Sequence, residues 1–176
     1  HHPAPADAII DIIVKPSMSF GSGHHHTKRM MCRAIHSLNP SGRVLDVGCG
    51  TGVLSIAAIK CGAEHADAVD IDPWSTASAE EAAQLNGIAE QISVLLGTVE
   101  VVVGRKYDMV LANINRNIIL NDIDRYVEAL NEGGKLLLSG FLVEDIADIT
   151  NAASERGLCP IAQSEEEGWV CLVFKK

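Results

Sequence analysis

The segment VLDVGCGTGVLSIAA, residues 44–58, joins two apolar runs through a glycine-rich turn. The run before the turn is short, as in a buried strand, and the run after it is typical of a helix that ends at Gly62. Glycines let the backbone turn sharply and approach a ligand, while the start of the helix directs its free amides at that ligand. The segment therefore predicts a strand, a turn and a helix with a ligand site at Gly48, Gly50 and Gly52.

The rest of the chain alternates between short apolar runs and segments with helical periodicity. Strands are predicted at 8–14, 43–47, 66–71, 91–96, 107–113, 135–140, 160–163 and 169–174, and helices at 27–38, 53–61, 73–85, 119–130 and 142–156. Strands that alternate with helices imply right-handed βαβ units. The sequence thus predicts an α/β protein, with a mostly parallel sheet, helices on both faces and an antiparallel C-terminal hairpin.

Composition narrows the class of protein. A length of 176 residues fits one domain, and no apolar run is long enough to cross a bilayer, so we expect a cytoplasmic protein without membrane contact. The net charge of −9 argues against direct nucleic-acid binding and favours a basic partner. Five scattered cysteines without a Cys-x-x-Cys pair argue against a disulfide framework and a zinc site. The acidic run Glu165–Glu167 is predicted to be a solvated turn.

An acidic residue follows the second predicted strand. Asp70 lies 22 positions after Gly48, where a carboxylate can accept hydrogen bonds from both hydroxyls of a ribose. A dinucleotide fingerprint would need a glycine at position 53, where this chain has Val53. The pattern indicates a ligand that contains a nucleoside, although glycine turns also occur for packing alone.

The residues Asp46-Val47-Gly48-Cys49-Gly50-Thr51-Gly52, followed by Asp70-Ile71-Asp72, resemble the cofactor motif of the seven-stranded, Rossmann-like class I methyltransferases that use S-adenosylmethionine. The resemblance implies that the glycine turn lies beside the methionine part of this cofactor. It also implies that Asp70 binds the ribose and that Ile71 flanks the adenine.

Four further segments narrow the resemblance: KPSMSFGSGHHHTKRM, ANINRNIIL, GGKLLLSGFL and the terminal WVCLVFKK. In this order they resemble the catalytic domain of the ribosomal protein L11 methyltransferases (the PrmA family), from about Ile10 to the end. The family implies methylation of the α-amine and lysines of a basic ribosomal protein. It also implies a separate N-terminal recognition domain, with residues 1–15 as a lead-in strand or linker and 16–176 as the methyltransferase domain.

The histidine-rich segment has three possible interpretations: a tag scar, a metal site or part of the cofactor pocket. Its internal position and its continuation into a helix disfavour a tag, and adjacent residues rarely converge on one metal ion, so no metal is expected. The resemblance implies a glycine-rich lid with Phe20, Gly21 and Thr27 near the cofactor and His25 at the family's histidine position. The family has a second, cofactor-contacting threonine after the first, and Lys28 stands at that position in this chain.

Asn113, at the end of the fourth predicted strand, is the expected catalytic residue and a cofactor contact. Methyltransferases that act on planar nitrogens have a Pro-Pro-aromatic run after this position, whereas this chain has Ile114-Asn115-Arg116. The difference favours an aliphatic amine as the group that accepts the methyl. Asn113 could instead cap a turn. The sequence also leaves open a related protein-lysine or small-molecule amine methyltransferase, and a non-catalytic module that binds S-adenosylmethionine.

Overall fold

The computed structural model describes residues 24–176, so the predicted strand at 8–14 and the lead-in 1–15 lie outside the described residues. The helices are α1 His24–Leu38, α2 Val53–Lys60, α3 Pro73–Leu85, α4 Arg116–Ala129 and α5 Ile146–Glu155. The strands are β1 Arg43–Val47, β2 His65–Asp70, β3 Ile92–Leu96, β4 Tyr107–Asn113, β5 Leu130–Leu142, β6 Cys159–Glu166 and β7 Trp169–Lys175. Within this part of the chain, no helix is long and apolar enough to span a membrane.

The seven strands form one sheet in the order β3-β2-β1-β4-β5-β7-β6. Strands β1 to β5 are parallel, while β7 runs antiparallel to both β5 and β6. The predicted α/β class, the mostly parallel sheet and the C-terminal hairpin are confirmed. Because the strand order reverses between β1 and β4, a crevice opens at their carboxyl ends, where ligands bind in sheets of this type.

Helices cover both faces of the sheet, and each face has its own apolar core. Helices α1, α2 and α3 pack on one face, through residues such as Met31, Ile35 and Ile56. Helices α4 and α5 pack on the other, through residues such as Ile123 and Ile149. The two cores hold the strand ends in fixed positions, so the loops that follow β1, β2 and β4 are presented on a rigid frame.

Several element boundaries differ from the prediction, three of them at the start of an element. Helix α1 begins at His24 rather than Thr27, so all three histidines of the run belong to its first turn. Strand β5 extends back to Leu130, which pairs with Tyr107 across an irregularity in the register of β4 and β5. Helix α5 begins at Ile146 rather than at Leu142, because a 3-10 turn over Val143–Asp145 precedes it.

The prediction that Glu165–Glu167 form a solvated turn is wrong for most of the run. Glu165 and Glu166 belong to β6, and the turn follows at Glu167. A carboxylate oxygen of Glu166 lies 3.7 Å from Arg29 Nε and another lies 3.9 Å from Arg33 Nη1. The basic side of α1 packs against this end of the hairpin, so Glu166 forms ion pairs between the helix and the sheet.

A buried carboxylate on β2 ties the amino-terminal ends of three strands together. Asp67 is 1% exposed and accepts hydrogen bonds from Tyr107 Oη at 2.6 Å and from Arg105 and Arg43 at 3.1 and 3.3 Å. Burial alone would raise the pKa of Asp67, but the hydrogen bonds from Tyr107, Arg105 and His65 bring it below its usual range. This network is far from the carboxyl ends of the strands, so we assign it to stability.

We expect Tyr107→Phe to lower the free energy of unfolding by about 1.5–3 kcal/mol, because it removes a hydrogen bond to a buried charged group. Tyr126→Phe is the matched control, since Tyr126 is equally buried and its hydroxyl has no hydrogen-bond partner among the described residues. That control should change stability by less than about 0.5 kcal/mol. Urea unfolding of the two variants measures both values, and equal losses would contradict the assignment.

Candidate functional site

A cavity of about 1030 Å³ opens at the carboxyl ends of β1, β2 and β4. Its wall combines residues from the glycine turn, from the ends of β2, β3 and β4, from α1 and α4, and from the C-terminal hairpin. Predicted site residues in the wall are Thr27, Gly48, Gly50, Asp70, Ile71 and Asn113. The position agrees with the crevice expected where the strand order reverses.

The glycine turn follows β1 and folds back against β2. The backbone amides of Gly48 and Cys49 both donate to the carbonyl of Val69, at 2.8 and 3.0 Å. Gly48 has a φ of +70°, and a Cβ there would collide with the side chain of Ile114. Gly50 has a φ of +53° and open space around its α-carbon, so its backbone is accessible from the cavity. The turn therefore presents bare backbone to the cavity.

Asp70 ends β2 and faces the turn. Its Oδ2 accepts a hydrogen bond from the Gly50 amide at 2.9 Å, and its Oδ1 accepts one from the Asp72 amide at 2.9 Å. A carboxylate has about four lone-pair positions, so each oxygen can accept one more hydrogen bond. The two backbone bonds hold the carboxylate in orientation and leave it able to bind a pair of hydroxyl groups.

Asp46 and Gly52, both predicted to bind cofactor, are not part of the cavity wall. Gly52 lies at the start of α2, where its carbonyl accepts from Ile56. Asp46 is 1% exposed; Ser55 Oγ donates to its Oδ2 at 2.6 Å, and its Oδ1 has no hydrogen-bond partner among the described residues. Burial raises the pKa of Asp46 to about 6, against the opposing effect of the Ser55 hydrogen bond and of Lys28.

This raised pKa predicts a pH dependence of stability. Between about pH 4 and 6 the folded protein keeps a proton on Asp46 that the unfolded chain has lost, so the free energy of unfolding falls as the pH rises. Relative to Asp46→Asn, wild type should therefore lose about 2 kcal/mol between pH 4 and pH 7. Urea titrations at several pH values measure the difference. A difference that stays constant with pH would contradict the prediction.

The first turns of α1 bring part of the histidine-rich segment to the cavity. Thr27 is buried and lines the wall, whereas His25 is exposed. Lys28 is partly buried, and burial lowers its pKa to about 8 against the opposing effect of Asp46. Phe20 and Gly21, the other predicted lid residues, lie outside the described residues. Within the described part, no group of three His, Cys, Asp or Glu side chains is placed to hold a metal ion.

Asn113 is the last residue of β4 and lines the cavity. The neighbouring helix α4 is capped by Asn115, whose Oδ1 accepts from the Ile118 amide at 3.0 Å. Because Asn115 performs the capping, the cap of this helix does not require Asn113. Gly140 in β5 lets the loop that follows Asn113 pack closely against the sheet, because a Cβ at position 140 would collide with the backbone of Ile114.

Several residues of the wall were missed by the sequence reasoning. Thr98 lies just after β3. Its position after a parallel strand could have predicted a place in the wall, because ligands bind at the carboxyl ends of such strands. Asn117 and Asn121 come from α4, and Trp169 comes from the first residue of β7. No sequence pattern places Trp169 there, because only the antiparallel return of the last strand brings it to the cavity.

Comparison with known proteins identifies the family. A family model described as ribosomal protein L11 methyltransferase (PrmA) matches residues 1–176. The chain belongs to the ribosomal protein L11 methyltransferase family. The ribosomal protein L11 methyltransferase of Porphyromonas gingivalis is 41% identical over 175 residues, which cover 98% of this chain and 60% of that protein. The corresponding protein of Bacteroides fragilis is 38% identical over 93% of this chain and 59% of its own length.

Solved structures agree with the family. The ribosomal protein L11 methylase of Lactobacillus delbrueckii subsp. bulgaricus has a TM-score of 0.83 and 31% identity, over 93% of this chain and 83% of that one. A Methanocaldococcus jannaschii tRNA m1G37 methyltransferase has a TM-score of 0.72 and 21% identity, over 83% of this chain and 46% of that one, which shows the fold alone. The predicted Rossmann-like class I methyltransferase fold is confirmed. The chain spans about 60% of the length of the curated L11 methyltransferases it matches.

Proposed function

We propose that the chain is the S-adenosylmethionine-binding, methyl-transferring part of a ribosomal protein L11 methyltransferase. The observation that carries the proposal is the single cavity that joins the glycine turn, Asp70 and Asn113 in a member of this family. A nucleoside end and a reacting end can both be accommodated within its volume of about 1030 Å³.

The residues present fit S-adenosylmethionine, which supplies a methyl group on a positively charged sulfur. Asp70 has free acceptor capacity for the two ribose hydroxyls, and Ile71 is 70% exposed beside it, available to cover the adenine. The bare backbone of Gly48 and Gly50 supports close approach of the ligand. The proposed cofactor contacts that line the cavity are Thr27, Gly48, Gly50, Asp70, Ile71 and Asn113. The roles of Phe20, Gly21, Lys28, Asp46 and Gly52 stay predictions from the sequence.

Asn113 is proposed to orient the acceptor amine. A lysine amine has a pKa of about 10.4 in water and reacts only as the neutral amine, so the site must favour loss of its proton. The carboxamide oxygen of Asn113 can accept a hydrogen bond from the neutral amine and direct its lone pair at the methyl carbon. Little acid–base chemistry is needed beyond this positioning, because the sulfonium is already a good leaving group.

The proposed acceptors are the α-amine and lysines of ribosomal protein L11, a basic partner that suits a chain with a net charge of −9. The ribosomal substrate favours the cytoplasm as the place of action. The curated relatives have additional length beyond the matched part, and we propose that substrate capture depends on it.

Two measurements test the function. Calorimetric titration with S-adenosylhomocysteine tests the cofactor site, and transfer of labelled methyl groups from S-adenosylmethionine to purified ribosomal protein L11 tests the reaction. We expect binding of S-adenosylhomocysteine, and only slow methylation of ribosomal protein L11 when the additional part proposed to capture it is absent. Binding without methylation of any protein or small amine would leave only a cofactor-binding module, and absence of binding would overturn the proposal.

A further inference from the structure

Four large apolar side chains remain exposed around the carboxyl ends of β2 and β3. Their exposed fractions are 70% for Ile71, 82% for Trp74, 57% for Leu96 and 43% for Val101. Leu96 lies beside Asp70 in the register of the two strands, and Val101 belongs to the 3-10 turn that follows β3. We call these four residues the apolar rim. Single exposed apolar residues are common in proteins, whereas several at one edge mark an interaction site.

Helix α3 packs on the sheet through its alanines, and this packing leaves Trp74 on the outer side. Ala79, Ala82 and Ala83 are buried. A Cβ added at Gly52 would lie 3.1 Å from the Cβ of Ala79, so the helix lies close against the glycine turn. Trp74 is not part of the cavity wall. The proposed cofactor therefore does not account for its exposure.

The apolar rim adjoins the mouth of the cavity. Ile71 belongs to both, and Ser75, the residue after Trp74, also lines the cavity. A polypeptide that places one amine inside the cavity can thus lay neighbouring residues of its chain on the rim. The position favours the methyl-accepting protein as the partner of this surface.

The charge of this region indicates the chemistry of the partner. Between Lys60 and Arg105 the sequence has eight acidic residues and no lysine or arginine. Asp72 is exposed within the rim. Glu100 also lies here, although Arg125 pairs with it at 2.8 Å. The region would repel an acidic partner and attract a basic one.

Lysine and arginine side chains suit both features of this surface. A cation above the face of a tryptophan ring is attracted to the ring. The aliphatic stems of the same side chains can pack on apolar neighbours while their charged ends stay in water. Trp74 and Asp72, two residues apart at the start of α3, therefore offer an aromatic face and a carboxylate to one cationic side chain.

We infer that the apolar rim binds a basic segment of the methyl-accepting protein, outside the residue that is methylated, an inference that rests on the proposed function. A lysine or arginine of that segment lies over Trp74, and its aliphatic neighbours pack on the other residues of the rim. The rim is a second contact, in addition to the capture that we assign to the additional length of the curated relatives.

Calorimetric titration of the chain with purified ribosomal protein L11 tests the inference without methyl transfer. We expect Trp74→Ala to weaken L11 binding by about 30-fold, as for an aromatic residue that contributes strongly to an interface. The affinity for S-adenosylhomocysteine should stay within about twofold of wild type, because Trp74 is outside the cavity wall. Trp74→Phe keeps an aromatic face and should weaken L11 binding by less than about fivefold. Added salt should weaken the wild-type complex, because it screens exposed charges.

Ile161→Ala is the matched control. Ile161 is an exposed apolar residue of β6, which lies at the opposite edge of the sheet from β3. Its substitution should leave L11 binding within about twofold of wild type. Light scattering of the same proteins shows whether the rim joins two copies of the chain instead.

Four results would overturn the inference and leave the proposed function intact. They are a wild-type chain that does not bind L11, a Trp74→Ala protein that binds L11 as wild type does, equal losses of L11 and S-adenosylhomocysteine binding, and loss of self-association alone. A wild-type chain that does not bind S-adenosylhomocysteine would instead overturn the proposed function. The L11 titrations would still show in that case whether the rim binds a basic protein.

Discussion

Asp70→Ala is expected to weaken the binding of S-adenosylhomocysteine by roughly 100-fold or more. The carboxylate would accept hydrogen bonds from both ribose hydroxyls, and hydrogen bonds to a charged group contribute about 1.5–3 kcal/mol each. The substitution also frees the amides of Gly50 and Asp72, so the turn loses one of its hydrogen bonds to β2. Calorimetry with the purified protein measures the loss directly.

Asp72→Ala is the matched control for this experiment. Asp72 is two residues from Asp70, but its side chain caps α3 by accepting from the Trp74 amide at 3.1 Å, and it is not part of the cavity wall. We expect it to cost about 1 kcal/mol of stability and to leave the affinity within about threefold of wild type. If both variants bound as tightly as wild type, the ribose assignment of Asp70 would be wrong.

Asn113→Ala is expected to lower kcat for methylation of ribosomal protein L11 by roughly 100-fold at saturating S-adenosylmethionine. The reason is geometric: without the carboxamide oxygen the acceptor nitrogen loses its alignment with the methyl carbon, and misplacement by about 1 Å costs about this much. The affinity for S-adenosylhomocysteine should fall by less than about tenfold, because most of the ligand would contact other residues. Single-turnover methylation with labelled cofactor separates the two effects.

Asn131→Ala controls for the loss of an asparagine in the same sheet. Asn131 donates to Asp108 at 3.1 Å near the amino-terminal end of β4, the edge of the sheet opposite the cavity. Its substitution should leave kcat within about twofold of wild type, as for surface changes away from a site. An Asn113→Ala protein with wild-type turnover at saturating cofactor would contradict the positioning role.

Much of the fold could be predicted because, in the first half of the chain, the strands and helices that local preferences predict are the ones that form in the folded protein. The apolar run before Gly48 forms β1 over the predicted residues, and Asp72 with Pro73 begins α3 as their cap and first-turn preferences indicate. The methyltransferase class could be recognised for the same reason, since the glycine turn and Asp70 form a local motif, and four further segments narrowed it to the L11 family. The boundaries of α1 and β5 were harder to predict, because the contact of His26 with Glu166 and the irregular register of β4 and β5 depend on partners distant in sequence.

The sequence by itself determined the α/β class, the glycine turn, Asp70 at a strand end and membership in the L11 methyltransferase family, because each depends on residues close together in the chain. Only the tertiary structure decided that Trp169 from the last strand lines the cavity and that Glu166 pairs with arginines of α1. These contacts join residues distant in the chain. They are set by how helices pack on the sheet and how β7 returns antiparallel to β5, and no local preference encodes them.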